Sequence, residues 1–215
     1  MTAWVIPRRI LRRLKPATVI DVGVHKGTPA LYAAFPNAQY LLVEPIKERV
    51  PDLEKILTTI RGEYVIAAAG AQEGTATLRI EPAPSASSLL DRASGSVKGA
   101  DLERREVTVV TLDGLVAERN LEGPFGLKVD TEGFELEVIY GATTMLKSCQ
   151  FVIAEMTTSR RRFRAGYRSV ELIDEMSTHG FLVRAVMHST RNYADVLFVR
   201  KGLVPPKSKR PEPSP

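Results

Sequence analysis

Residues 125–147 read FGLKVDTEGFELEVIYGATTMLK. The opening FGLKVD is a short, nearly continuous apolar run closed by an acid. A run of that kind, rather than an alternating one, suits a strand covered on both faces. After Gly133 the period changes: Leu136, Val138, Ile139, Ala142 and Leu146 fall on the i, i+3, i+4 spacings of one helix face. Strand, acidic turn and helix therefore follow one another within a single stretch. The same strand form recurs at ATVIDV (17–22), QYLLVE (39–44), EYVIAA (63–68) and CQFVIAE (149–155). IKERVPDLEKILTTI (46–60) is helix-like, with Pro51 near its start, where a missing N–H costs nothing. Strands alternating with helices predict the α/β class, with a mostly parallel, doubly wound sheet.

Two stretches depart from the alternation. Residues 74–112 read as two alternating strands, GTATLRI and EVTVVTL, around the loop EPAPSASSLLDRASGSVKG, a hairpin-like insertion before the fourth parallel strand. FLVRAVM (181–187) and YADVLFVR (193–200) read as a C-terminal antiparallel hairpin.

The whole chain has 215 residues, 44% hydrophobic and 26% charged, the balance of one soluble globular domain. Cys149 is the lone cysteine, which excludes an intramolecular disulfide and any multi-cysteine metal site. No apolar run approaches the ~20 residues that span a bilayer, and the start lacks a signal-peptide pattern, so the expected location is cytoplasmic. The net charge of +5 sits at the ends. Arg8, Arg9, Arg12, Arg13 and Lys15 crowd the first sixteen residues without an acid, and residues 201–215 are again basic. The body between is mildly acidic, so no nucleic-acid groove is expected. The expected organisation is a basic N-terminal extension (1–16), one domain (17–200) and a Pro-rich disordered tail (201–215). Trp4, Ile6, Ile10, Leu11 and Leu14 give the N-terminal stretch an apolar side that suits weak contact with an anionic membrane surface, or packing against the domain.

The chemistry gathers at predicted strand ends. Asp21-Val22-Gly23-Val24-His25-Lys26-Gly27 leaves the first strand, with glycines that let backbone turn sharply and approach a ligand. Glu44 closes the second strand, 21 positions after Gly23, where an acid can bridge the hydroxyls of a ribose. The G-x-x-x-G spacing departs from the G-x-G-x-x-G of dinucleotide sites, and no Gly-Lys-Ser/Thr loop is present. S-adenosyl-L-methionine, which has a ribose and an amino-acid end but no phosphate, fits these residues better than NAD.

From Leu127 to Ala142 the chain resembles the FkbM-type S-adenosylmethionine-dependent methyltransferases, whose pattern reads approximately LKIDVEGAELEVLKGA. The resemblance extends in order through VIDVGVHKG, LLVEP, AAAGAQEGTATL, SSLL, VTLDGL and FVIAE, about residues 17–200. Here His25 stands where the family often has Asn, Val24 where it has Ala, Thr131 where it has an aliphatic residue and Phe134 where it has a small one. The resemblance implies a Rossmann-like class I methyltransferase fold: a seven-stranded, mostly parallel sheet with the last strand reversed. It also implies O-methylation of a hydroxyl on a glycan, glycolipid or other small hydroxylated acceptor.

The cofactor-binding candidates are Asp21, Gly23, Gly27, Glu44 and Asp130; the catalytic candidates are Asp130, Glu132 and His25. Transfer to a hydroxyl needs alignment and a base, and carboxylates or an imidazole at the sheet edge can supply one. Capping of the helix that starts near Gly133 is the competing explanation for Asp130 and Glu132. His188 and Glu155 are weaker candidates. Asp130, Glu132 and Glu155 offer the hard oxygens Mg²⁺ prefers, but no spacing demands an ion and no metal is expected. Arg160, Arg161, Arg162, Arg164 and Arg168 suit an anionic acceptor or simply a solvated loop, with Phe163 and Tyr167 as a flat wall for a sugar ring. Two rivals remain at this stage: a non-catalytic cofactor-binding scaffold and an NAD-dependent sugar-modifying enzyme.

Overall fold

The computed structural model describes residues 7–80, 87–90, 103–158 and 166–203. In chain order the elements are α1 (Arg8–Leu11), β1 (Thr18–Val22), α2 (Pro29–Ala34), β2 (Gln39–Val43), α3 (Val50–Leu57), β3 (Gly62–Val65), β4 (Ala68–Ala69), β5 (Gly74–Ile80) and β6 (Glu103–Val110). They continue with α4 (Leu112–Glu118), β7 (Phe125–Val129), α5 (Glu135–Tyr140), β8 (Cys149–Thr157), α6 (Ser169–Thr178), β9 (Phe181–Ser189) and β10 (Tyr193–Arg200). The main sheet has seven strands in the order β3-β2-β1-β7-β8-β10-β9. Its first five are parallel, and β10 runs antiparallel to both β8 and β9. The order reverses direction between β1 and β7, the switch point at which α/β sheets open a ligand crevice.

The apolar strands carry two cores because successive side chains point to opposite faces. Ile20, Val22, Leu41, Val43, Leu127, Val129, Val152 and Ala154 fill one face. Val19, Tyr40, Leu42, Phe151, Ile153 and Leu197 fill the other, with Leu31 from α2 and Leu53 from α3. Ile10 and Leu14 are buried in this second core as well. Packing against the domain, one of the two fates considered for this stretch, is what Ile10 and Leu14 show. The apolar side considered for a membrane surface is, at Ile10 and Leu14, turned into the domain; Trp4 and Ile6 lie outside the described residues, as does the tail from residue 204. No helix among the described residues is long and apolar enough to cross a membrane.

The insertion forms its own three-stranded sheet, β4-β6-β5, with β5 and β6 antiparallel as their alternating patterns predict. EYVIAA, which reads as one strand, is instead shared between sheets: β3 ends at Val65, and Ala68–Ala69 pairs with Val109–Val110 of β6. The helix predicted through Lys147 also divides. α5 stops at Tyr140, and a 3-10 turn follows at Met145–Ser148. At Gly141 the backbone lies against Gly70, where a Cβ would sit 2.0 Å from the Gly70 carbonyl oxygen. Asp113 then accepts the N–H groups of Thr144 and Met145 at 2.8 Å each, so a tertiary contact replaces the next helical turn.

Candidate active site

The loop after β1 is built on backbone proximity. Gly23 has φ +74°, and a Cβ there would fall 1.8 Å from the carbonyl oxygen of Asp130. Only glycine lets the ends of β1 and β7 approach so closely. Two residues on, His25 takes the left-handed conformation (φ +49°), and its N–H donates to Glu44 Oε2 at 2.8 Å. Glu44 Oε1 accepts from the N–H of Ile46 at 3.0 Å. Burial pushes the Glu44 pKa above the usual carboxyl range, although both N–H bonds oppose the shift. These bonds fix the carboxylate and occupy about half of its roughly four acceptor positions, leaving capacity for a ligand's hydroxyls.

His25 Nε2 lies 2.9 Å from Arg49 Nη2. A guanidinium only donates, so Nε2 is the acceptor and the ring proton belongs on Nδ1. Burial, then Arg49 and Lys26, lower the His25 pKa. The ring thus has its lone pair engaged on the Glu44 side of the loop.

Beneath the loop lies Lys128, which the sequence reading passed over. Its ammonium is buried, donates to the carbonyls of Gly23 (2.6 Å) and Val22 (3.2 Å), and pairs with Asp21 at 3.2 Å and Asp130 at 3.7 Å. Burial pulls its pKa down, but the carboxylates outweigh this and leave it raised, so the lysine stays charged. Asp21, with no exposed surface, also accepts from Tyr32 Oη at 2.7 Å. It supports the loop from below and is absent from the cavity wall. A charged residue inside an otherwise apolar strand was the available signal, because a buried charge requires partners.

The acidic side is set by β7 and β8. Asp130 follows β7, and Glu132 adopts φ +54° in the turn that follows. Neither caps α5, whose N-cap is Phe134 without a side-chain bond. Glu135 does the stapling: its buried carboxylate accepts from the N–H of Thr131 (2.9 Å), the Thr131 hydroxyl (3.2 Å) and the N–H of Gly133 (3.0 Å). Across from this turn, Glu155 of β8 comes together with Asp130 and Glu132, their carboxylate oxygens within 4.8 Å of one another. Burial and then Asp130, Glu132, Glu135 and Asp195 push Glu155 up to about 10. A close carboxylate cluster relieves its repulsion by taking up a proton or a cation; at neutral pH Glu155 holds a proton. Glu155, ranked low from the sequence, is central here, whereas His188 on β9 faces Tyr193 with ring centres 5.9 Å apart and does not line the cavity.

One cavity of about 720 Å³ joins these parts, within the ~300–1,000 Å³ usual for small-molecule sites. It runs from Glu44, Ile46 and Ala67–Ala69, past Gly23–Gly27, to Glu132, Glu155 and Tyr193, with Ser87–Leu89 of the insertion in its wall. Of the arginine segment, residues 160, 161, 162 and 164 lie outside the described residues, as does Phe163. Arg168 sits at the start of α6, where its N–H and Nε hold Glu171 at 2.6 and 3.2 Å. Tyr167 is no free wall: its phenol is partly buried and donates to the carbonyl of Glu155 at 3.2 Å.

A family described as the methyltransferase FkbM domain matches residues 21–183. The chain belongs to this family. Its seven-stranded sheet, parallel but for the reversed strand near its edge, is the one expected from its motifs. Hexuronic acid methyltransferase AglP of Haloferax volcanii is 29% identical over 136 residues, 63% of this chain. The match spans 54% of that relative's length. Among solved structures, a precorrin-6y C5,15-methyltransferase from Geobacter metallireducens aligns with TM-score 0.47 and 12% identity, covering 89% of this chain and 86% of that one. The magnesium protoporphyrin IX methyltransferase ChlM from Synechocystis, solved with bound S-adenosylmethionine, gives 0.45 and 9%, covering 85% and 69%. Chemically, the cavity of this FkbM-family protein suits S-adenosylmethionine. Its carboxylates match a ribose diol and a cationic sulfonium and ammonium, and Ile46 with Ala67–Ala69 offers an apolar surface to a base.

Proposed function

We propose that this FkbM enzyme methylates a hydroxyl oxygen of a glycan, glycolipid or other small hydroxylated acceptor, with Glu132 as the base. The carrying observation is the cluster of Asp130, Glu132 and Glu155 at one end of the cavity, opposite Glu44. S-adenosylmethionine supplies an electrophilic methyl group when bound. Glu44 would hold the ribose hydroxyls, the backbone at Gly23 would pass close to the ligand, and Asp130 would face its cationic part. An acceptor hydroxyl placed at the acidic end donates to Glu132 and passes its proton there as the oxygen attacks. Protonated Glu155 can donate a hydrogen bond while adding no negative charge. His25 drops out as the base, since Arg49 engages its only lone pair.

The same charges argue against a carboxylate as the attacking group, because it would meet Asp130 and Glu132 with like charge. An anionic group elsewhere on the acceptor, as the arginine segment 160–168 suggests, would have to lie away from this cluster. The sugar-acid relative supports a sugar-like acceptor without fixing the atom. The test incubates the protein with methyl-labelled S-adenosylmethionine and the methyl glycosides of glucose, galactose and mannose and of their uronic acids. An alkali-stable methyl ether on at least one is expected, with turnover falling about 100-fold or more in Glu132→Gln. Only alkali-labile esters, or turnover of none, would overturn the reading.

A further inference from the structure

We propose that Ser88 is a positioning residue for Glu132, through which the β5–β6 insertion sets the geometry of the acceptor end. The inference rests on Glu132 as the base. Glu132 is a non-glycine residue at φ +54°, followed by Gly133 at φ +100°. Such a turn persists where its surroundings hold it on both sides. From the α5 side, Glu135 grips the N–H groups of Thr131 and Gly133. From the insertion, the Ser88 hydroxyl donates to the carbonyl of Glu132 at 2.8 Å.

The direction of that bond is fixed. The hydroxyl also accepts from the N–H of Leu90 at 3.0 Å, so its single proton is directed at Glu132. Ser88 itself is 1% exposed and pairs through its backbone with Arg79 of β5 in both directions, at 3.0 and 3.2 Å. The hydroxyl therefore hangs from a rung of the second sheet, and Ser87–Leu89 wall the same cavity as Glu132. Without it the Glu132–Gly133 peptide loses its hold from the insertion, and the alignment of the carboxylate with the acceptor oxygen loosens. Loss of alignment lowers the rate of the chemical step rather than cofactor binding.

The experiment measures kcat, acceptor KM and cofactor affinity for Ser88→Ala, Glu132→Gln and the double variant, with whichever methyl glycoside turns over fastest. The expected result is a kcat about 3–10-fold lower in Ser88→Ala, the scale of one hydrogen bond, with cofactor affinity unchanged. In the Glu132→Gln background the serine change should add nothing. Ser88→Cys, equal in size but a weaker donor, should fall between serine and alanine and keeps the test open where alanine impairs folding. An unchanged kcat in both serine variants, or an undiminished loss in the Glu132→Gln background, would overturn the role of Ser88 alone. Full turnover by Glu132→Gln itself would overturn the base assignment and this inference together.

Discussion

Glu44 shows how a single residue can be legible from both sequence and structure. Its position at a strand end after a glycine turn marks it, and its two backbone bonds to His25 and Ile46 hold it in the cavity wall. Under the proposed role, replacing it by alanine removes charge-assisted bonds to the ribose hydroxyls, together worth about 1.5–3 kcal/mol. Glu44→Ala should therefore bind S-adenosylmethionine about 10–100-fold more weakly by calorimetry. Unchanged affinity would remove Glu44 from the cofactor site. Lys128 and Ser88 were harder to read because their hydrogen-bond acceptors are backbone carbonyls far away in the sequence. Lys128 bonds to carbonyls 105 and 106 positions away, and Ser88 to one 44 positions away. Such carbonyls carry no residue-type signal. Asp21 is the opposite case: its residue type suited a ligand, and in the structure its buried carboxylate meets Lys128 and Tyr32.

Elements followed the sequence wherever one local pattern ran uninterrupted. β1, β2, β7, β8 and β10 lie where apolar runs placed them, since burial on both faces leaves no polar alternation to misread, and the half-exposed β9 follows its hairpin pattern. The failures occur at tertiary junctions: the strand shared between two sheets at residues 62–69, and the helix stopped where Gly141 meets Gly70. α1 is another such junction. Charge made its surroundings look like an extension, yet Ile10 is 1% exposed within the core that includes Leu42 and Val199. Truncation there loses transfer energy and leaves a cavity. Ile10→Ala should thus cost about 2–4 kcal/mol in denaturant unfolding. A cost near zero would return residues 8–14 to the status of an appendage.

At the scale of the whole molecule, the acidic cluster links the site to stability. Five carboxyl side chains, those of Asp130 and Glu132 in the turn after β7, Glu135 of α5, Glu155 of β8 and Asp195 of β10, act on one another, and Glu155 takes the strain as a pKa near 10. In the unfolded chain the same side chain ionises near ~4.3. Between those values the folded state holds a proton that the unfolded state lacks, so stability declines as pH rises through the window. The contribution of Glu155 is complete below the unfolded pKa and is progressively lost toward pH 10. Glu155→Gln keeps the size and the ability to donate while removing ionisation. Its thermal midpoint should exceed that of the unaltered protein by several degrees at pH 8, each ~1 kcal/mol being worth about 2–4 °C in a domain of this size. At pH 5 the difference should be much smaller, and at pH 4 the two midpoints should nearly coincide. Parallel curves across the window would mean that the cluster is ionised throughout and that its repulsion is relieved by something other than the Glu155 proton.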